Sequence, residues 1–169
     1  MNTDLNGLAD LSDEQLSSLV ANYRRLNKTE GGKWSLAEAT HEQSRRARSD
    51  FEPTAMVDAI IRLASGSEDH QVSYVELWRT FRPGEPFKGH YSQKQVTNGL
   101  AKVGAYCVDH ELPMLSVLVV PEGTRTLTDT AAENIWAFAK SIGVKAGPDC
   151  RTFIEREKAA AFEMIRRRT

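Results

Sequence analysis

Ser92-Gln93-Lys94-Gln95-Val96 opens the stretch on which the fold turns; it runs through Leu100 and Val103 to Cys107 and then, past Pro113, into Met114-Leu115-Ser116-Val117-Leu118-Val119-Val120. Val96, Leu100, Val103 and Cys107 recur at helical spacing, and Ser92 with Gln95 has the form of a capping box. The run Met114 to Val120 is apolar on both faces, which suits a buried strand. Pro121-Glu122-Gly123-Thr124 can turn that strand back along Arg125 to Leu127 as a hairpin.

Upstream of this stretch, Met56, Val57, Ile60, Ile61 and Ala64 form an apolar stripe that stops at Gly66. Ser73 and Glu76 make a further box, launching a short helix whose Leu77, Trp78 and Phe81 face inward. Pro83-Gly84-Glu85-Pro86 cannot continue that helix and opens a loop through Lys88, Gly89 and His90. Helix, short helix, long helix, hairpin is the order of a winged helix-turn-helix. The expectation is a mainly α fold with a small β-hairpin (α+β), its winged-helix-like core lying within residues 54–169.

Residues 1–53 read as a helical N-terminal extension. Ser12 and Gln15 box a helix carrying Leu16, Leu19, Val20, Tyr23 and Leu26, and Gly31-Gly32 ends it. Ser35 and Glu38 start another, but Glu38 to Ser49 holds few large apolar side chains, so this helix is expected on the surface or against a partner. Phe51-Glu52-Pro53 breaks it, because the residue before a proline is pushed out of helical geometry. Two helices close the core unit. Thr130 with Glu133 precedes Ile135, Trp136, Phe138, Ala139 and Ile142. After Gly147-Pro148-Asp149 come Phe153, Ile154, Ala161 and Ile165.

Composition narrows the function classes. A chain of 169 residues, 40% hydrophobic, can bury a core without disulfides or a structural metal. Its formal net charge of -1 excludes wholesale coating of a polyanion, so any basic surface must be local. Cys107 and Cys150 lack the paired spacing of a zinc site and are too few for a disulfide framework. The longest apolar run is far short of the roughly 20 residues that span a bilayer, and the polar opening Met1 to Asp10 lacks a signal-peptide core. A cytoplasmic protein with no membrane contact is expected.

On the long helix Lys94, Asn98 and Lys102 stand four residues apart with Gln95 beside them, away from Val96, Leu100 and Val103. Asn and Gln can bond adenine bidentately, Lys can meet guanine edges or phosphates, and a helix N-terminus favours a phosphate. Arg79, Arg82 and Lys88 precede this face, and Arg125 on the expected wing could reach flanking backbone. The plain alternative is that these side chains are only the solvated side of an amphipathic helix. Gly99 and Gly104 each cost about 1 kcal/mol relative to alanine inside a helix, so close approach by DNA, another chain or neighbouring core must require them. Arg45-Arg46-Ala47-Arg48 and Arg166-Arg167-Arg168 are further basic clusters without specificity. Trp34, Trp78, Trp136, Phe81, Tyr106 and Phe153 sit at core-like spacing, which argues against a base-stacking platform.

Chemistry is poorly represented. His41, His70, His90 and His110 are scattered without a His-Glu-x-x-His pattern, and no glycine-rich segment carries the Lys-Ser or Lys-Thr of a phosphate loop. Cys107 and His110 could share a helix face, with His90 as a conceivable third member, but a buried cysteine and a surface histidine need no such role. Neither catalysis, a metal nor a cofactor is expected.

Leu11-Ser12-Asp13-Glu14-Gln15-Leu16 through Tyr23-Arg24-Arg25, Pro113 through Val120, and the tail from Trp136 through Gly143 to Phe153 resemble a loose group of small, uncharacterised bacterial and phage proteins. The resemblance implies a setting near restriction or other defence genes. Two partner classes follow from the whole reading. One is DNA or RNA, met by Lys94, Gln95, Asn98 and Lys102 with Arg79, Arg82, Lys88 and Arg125. The other is a protein component of a defence complex, with the chain acting as a phage or mobile-element inhibitor of anti-restriction or anti-CRISPR type; the weakly apolar helix after Ser35 and the near-neutral charge favour it.

Overall fold

In the computed structural model, which describes residues 5–168, the helix starts follow the serine boxes closely. Met1 to Asp4, the beginning of the polar opening, and Thr169 lie outside the described residues. The elements among those described are α1 (Leu5–Ala9), α2 (Asp13–Arg25), α3 (Leu36–Arg45), α4 (Pro53–Ser65), β1 (Val72–Ser73), α5 (Tyr74–Phe81), α6 (Gly89–Asp109), a 3-10 turn (Leu115–Leu118), β2 (Val119–Val120), α7 (Asp129–Ser141) and α8 (Cys150–Arg166). The fold is mainly helical with one two-stranded sheet, and no winged helix-turn-helix is identified in it. No described helix is long and apolar enough to cross a membrane.

Ser12, Ser35 and Ser73 each accept the backbone N–H three residues on, while Gln15, Glu38 and Glu76 accept the serine's own N–H. Each box satisfies two amides that the first helical turn leaves without an intrahelical partner. The box expected at Ser92 does not form. α6 begins four residues earlier, with Lys88 as its cap, and the Ser92 hydroxyl reaches back to accept the Lys88 N–H at 2.8 Å. Likewise α7 is capped by Thr128 rather than Thr130.

The hairpin is the principal correction. Met114 to Val120 is buried throughout, as its apolarity on both faces required, yet only Val119 and Val120 are strand, and they pair in parallel with Val72 and Ser73. The pairing stops there because Ser73 is already the cap of α5, so β1 has no further residues to offer. Leu115 to Leu118 curl instead into the 3-10 turn, packed by α6 and α8. Glu157 of α8, itself buried, accepts the Met114 N–H at 2.9 Å and so ties that helix to the start of the turn. Arg125 to Leu127 form no returning strand.

α3 is the second correction. It lies between α2 on one side and α6 and α7 on the other, with Ala39, Thr40, Glu42 and Ser44 buried. Small side chains allow that close approach without a long apolar stripe. The hydroxyls of Thr40 and Ser44 bond carbonyls one turn back, and Glu42 is matched by Arg45 and Arg46. Leu8, Leu16, Val20 and Ala39 form a small apolar cluster among α1, α2 and α3.

The main cluster gathers around α6, whose Val96 and Val103 are fully buried together with Met56, Ile60, Leu77 and Leu118. Fully burying one such aliphatic side chain contributes roughly 1.5–3 kcal/mol. Both α6 glycines serve packing. A Cβ on Gly99 would lie 2.8 Å from Met56 Sδ and 3.1 Å from Phe51, and one on Gly104 would lie 2.4 Å from the Phe138 ring.

Candidate nucleic-acid interface

Helices α4, α5 and α6 pack against one another in pairs, and the seven-residue passage from Arg82 to Lys88 joins the last two. Trp78 anchors that passage, donating its indole N–H to the Glu85 carbonyl at 3.0 Å while the edges of Phe87 and Tyr91 meet its ring. The N-terminal end of α6 is therefore held in place by a buried aromatic.

Of the sequence-predicted residues, Lys88 and Lys94 project from this end, exposed and without an ion pair among the described residues. Arg79 is also exposed, 3.7 Å from Glu122. Gln95, Asn98 and Lys102 are half-buried. The Asn98 amide donates to the Arg48 carbonyl at 3.3 Å, so the segment that follows α3 borders the second half of the face. Arg82 is engaged, bonding Asp50 at 2.5 Å and lying 4.0 Å from Glu85, with its guanidinium over the Phe51 ring.

Arg125 is placed quite differently from the wing expected of it. Its guanidinium donates to Asp69 at 2.7 and 3.0 Å, to Glu76 at 3.2 Å, to the Ser67 hydroxyl at 3.0 Å and to the Gln71 carbonyl at 2.8 Å. The hydrogen bonds from Arg125 and then Ser67 hold the Asp69 carboxyl well below the usual range. Burial pushes Glu76 upward, but the bonds from Ser73 and Arg125 outweigh it and its pKa is lowered. Arg125 thus closes the loop onto α5 and β1 and leaves no group aimed at a phosphate.

The unspecific basic clusters are also largely occupied. Arg46 bonds the carbonyls of Leu8, Ala9 and Leu11 beyond Asp13 and Glu42, which caps the C-terminal end of α1. Arg45 pairs with Glu42 and Asp109, and Arg166 and Arg167 share Glu163. What remains open on the α5–α6 side is Lys88, His90, Tyr91 and Lys94, at the end where the helix dipole favours anions.

Tyr91 is the residue that periodicity missed. A helix capped at Ser92 would leave it outside, whereas in the structure it lies in the first turn and is 59% exposed. Only the earlier helix start reveals it, and no local signal distinguishes the two.

The residues weighed for thiol or metal chemistry do not assemble. Burial pushes the Cys107 thiol up to about 11, so it is protonated at neutral pH and a poor nucleophile. His110 is exposed, stacked on Tyr106 with Nδ1 2.9 Å from that residue's carbonyl. Among the described residues no group of three or more His, Cys, Asp or Glu side chains is placed to hold a metal. Comparison of the chain with protein-family models, with curated proteins and with solved structures finds no match.

Proposed function

We propose that this chain is a non-catalytic nucleic-acid-binding module that meets the sugar-phosphate backbone with the N-terminal end of α6. The observation that carries the reading is the pair Lys88 and Lys94, exposed at a helix N-terminus and free of ion pairs among the described residues, while Arg82, Arg125 and Arg46 are consumed by carboxylates and carbonyls. Two lysines and a helix dipole can neutralise phosphates, and the exposed Tyr91 between them offers a ring for a base or sugar. This is a helix-turn-helix-like use of α5 and α6 without a wing. The near-neutral total charge fits contact through one local patch rather than through the whole surface.

A gel-shift or anisotropy titration over a salt series, with duplex DNA, single-stranded DNA and RNA, tests it. For duplex DNA each neutralised phosphate contributes about 0.9 to the slope of log affinity against log salt, so the K88E/K94E double variant should flatten the slope by about two. Charge reversal at Arg24 and Arg25, on the far end of α2, should leave it unchanged. Equal loss in both variants, or no salt-dependent binding by the native chain, would refute the proposal. The protein-partner reading drew on the weakly apolar α3 and on the near-neutral charge; of these, the helix is occupied within the fold.

A further inference from the structure

Along α6, next to Lys94, a cleft of about 510 Å³ opens toward α7. Its apolar walls are Leu100 and Ala101 of α6 with Ile135 and Phe138 of α7. Between them stand the polar groups Gln93, Thr97, Asn134, Ser116 and Tyr74. No Asp, Glu, Lys, Arg or His is among the described residues that line it.

The polar groups of the lining are all uncharged. Ser116 is only 8% exposed and lines the cleft. The exposed carboxamides of Gln93 and Asn134 at its edge each supply a donor and an acceptor. Burial raises the Tyr74 phenol above its ordinary range, which keeps it a neutral donor.

The chemistry of the occupant follows from that lining. An anion or a cation would find no counter-charge, and a hydrocarbon would strip water from Ser116, Asn134 and Gln93 without replacing it. A flat, neutral molecule with donors and acceptors on its edge satisfies both the apolar walls and the carboxamides. A cavity of this size is ordinary for such a ligand. We propose that the cleft between α6 and α7 binds a nucleobase, with a ring face against Phe138 and a polar edge toward Asn134, Gln93 and Ser116. The base can come from a free nucleoside or from an unstacked position in a strand. The inference is independent of Lys88 and Lys94, because the cleft contains neither.

The test is a titration of the ¹⁵N-labelled full chain with adenosine, guanosine, cytidine and uridine, and with a short single-stranded oligonucleotide beside its abasic counterpart. Saturable shifts at the amides of Thr97, Ser116 and Asn134 are expected. Asn134→Leu, on an exposed helix position, should weaken binding about tenfold, as loss of a hydrogen-bonded amide does. Ala101→Trp should fill the cleft and abolish binding. K88E/K94E should leave nucleoside affinity within about twofold, since a nucleoside is uncharged and neither lysine lines the cleft. Binding of nucleosides assigns a free ligand; binding only of the oligonucleotide, weakened by removal of its base, assigns an unstacked base. Silence of those amides in every arm would overturn the proposal. So would native-like affinity in both cleft variants, or toluene binding as tightly as a nucleoside.

Discussion

Arg125 holds the loop after β2 against β1 and α5 through two carboxylates, a hydroxyl and a carbonyl, from a left-handed backbone conformation with φ 47°. Arg125→Ala should therefore destabilise the fold at neutral pH by about 1–2 kcal/mol; the value stays modest because water reaches both carboxylates, whose side chains are more than a third exposed in the case of Asp69. The pH dependence has a definite sign. Asp69 has a depressed folded pKa, so its contribution is complete above the ordinary carboxylate value of about 4 and is lost as pH falls toward the depressed one. Arg125 stays charged throughout. In urea denaturation the gap between native chain and variant should be constant from about pH 5 to 8 and narrow below about pH 4. A gap that persists undiminished to acid pH would mean the loop is held by something other than this cluster.

Helix α6 is the element whose details matter most, because its two sides do different things. Along its buried side, Gly104 accommodates the Phe138 ring and Gly99 accommodates Met56 and Phe51. Alanine at either position gains about 1 kcal/mol of helix propensity but must displace a neighbour. At Gly99 the nearest atom belongs to a flexible methionine, with the Phe51 ring behind it at 3.1 Å, so Gly99→Ala should cost less than the same change at Gly104. At Gly104 the neighbour is a rigid ring, and overpacking typically costs about 1–3 kcal/mol, so Gly104→Ala should lower the thermal midpoint. Equal midpoints for the two variants would contradict this account of the glycines. α3 gives the opposite lesson about side-chain size. Its small and polar residues looked like those of a surface helix, but Ala39, Thr40 and Ser44 let it lie close to its neighbours, with hydroxyls satisfied one turn back.

For the molecule as a unit, the burial of α6 within the main apolar cluster has a chemical readout in its cysteine. Cys107 is fully buried with a thiol pushed up to about 11 by that burial, whereas Cys150 is only half-buried. Cys150 begins α8, where the helix dipole would lower a thiol, yet partial burial, aided by Glu133, Asp149 and Asp129, raises it. Labelling with a thiol-specific disulfide reagent should modify Cys150 in the folded protein, faster as pH rises from 7 to 9. Cys107 should react only when the fold opens, at a rate that follows global unfolding in denaturant. Equal reactivity of the two without denaturant would show that α6 opens independently of the core.

The helix starts at Ser12, Ser35 and Ser73, the apolar stripes of α4 and α6 and the burial of Met114 to Val120 were all legible in the chain, because caps and periodicity are local properties. The same local signals named Lys88 and Lys94 but could not say which cations would remain free. Arg125 found Asp69 and Glu76 at separations of 56 and 49 residues, and Val119 found Val72 rather than a returning strand. An apolar run declares that it will be buried, not which surface will cover it. An arginine declares its charge, not its partner. Those choices depend on contacts between distant residues, and with them went the absent wing, the exposed Tyr91 and the neutral cleft beside α7.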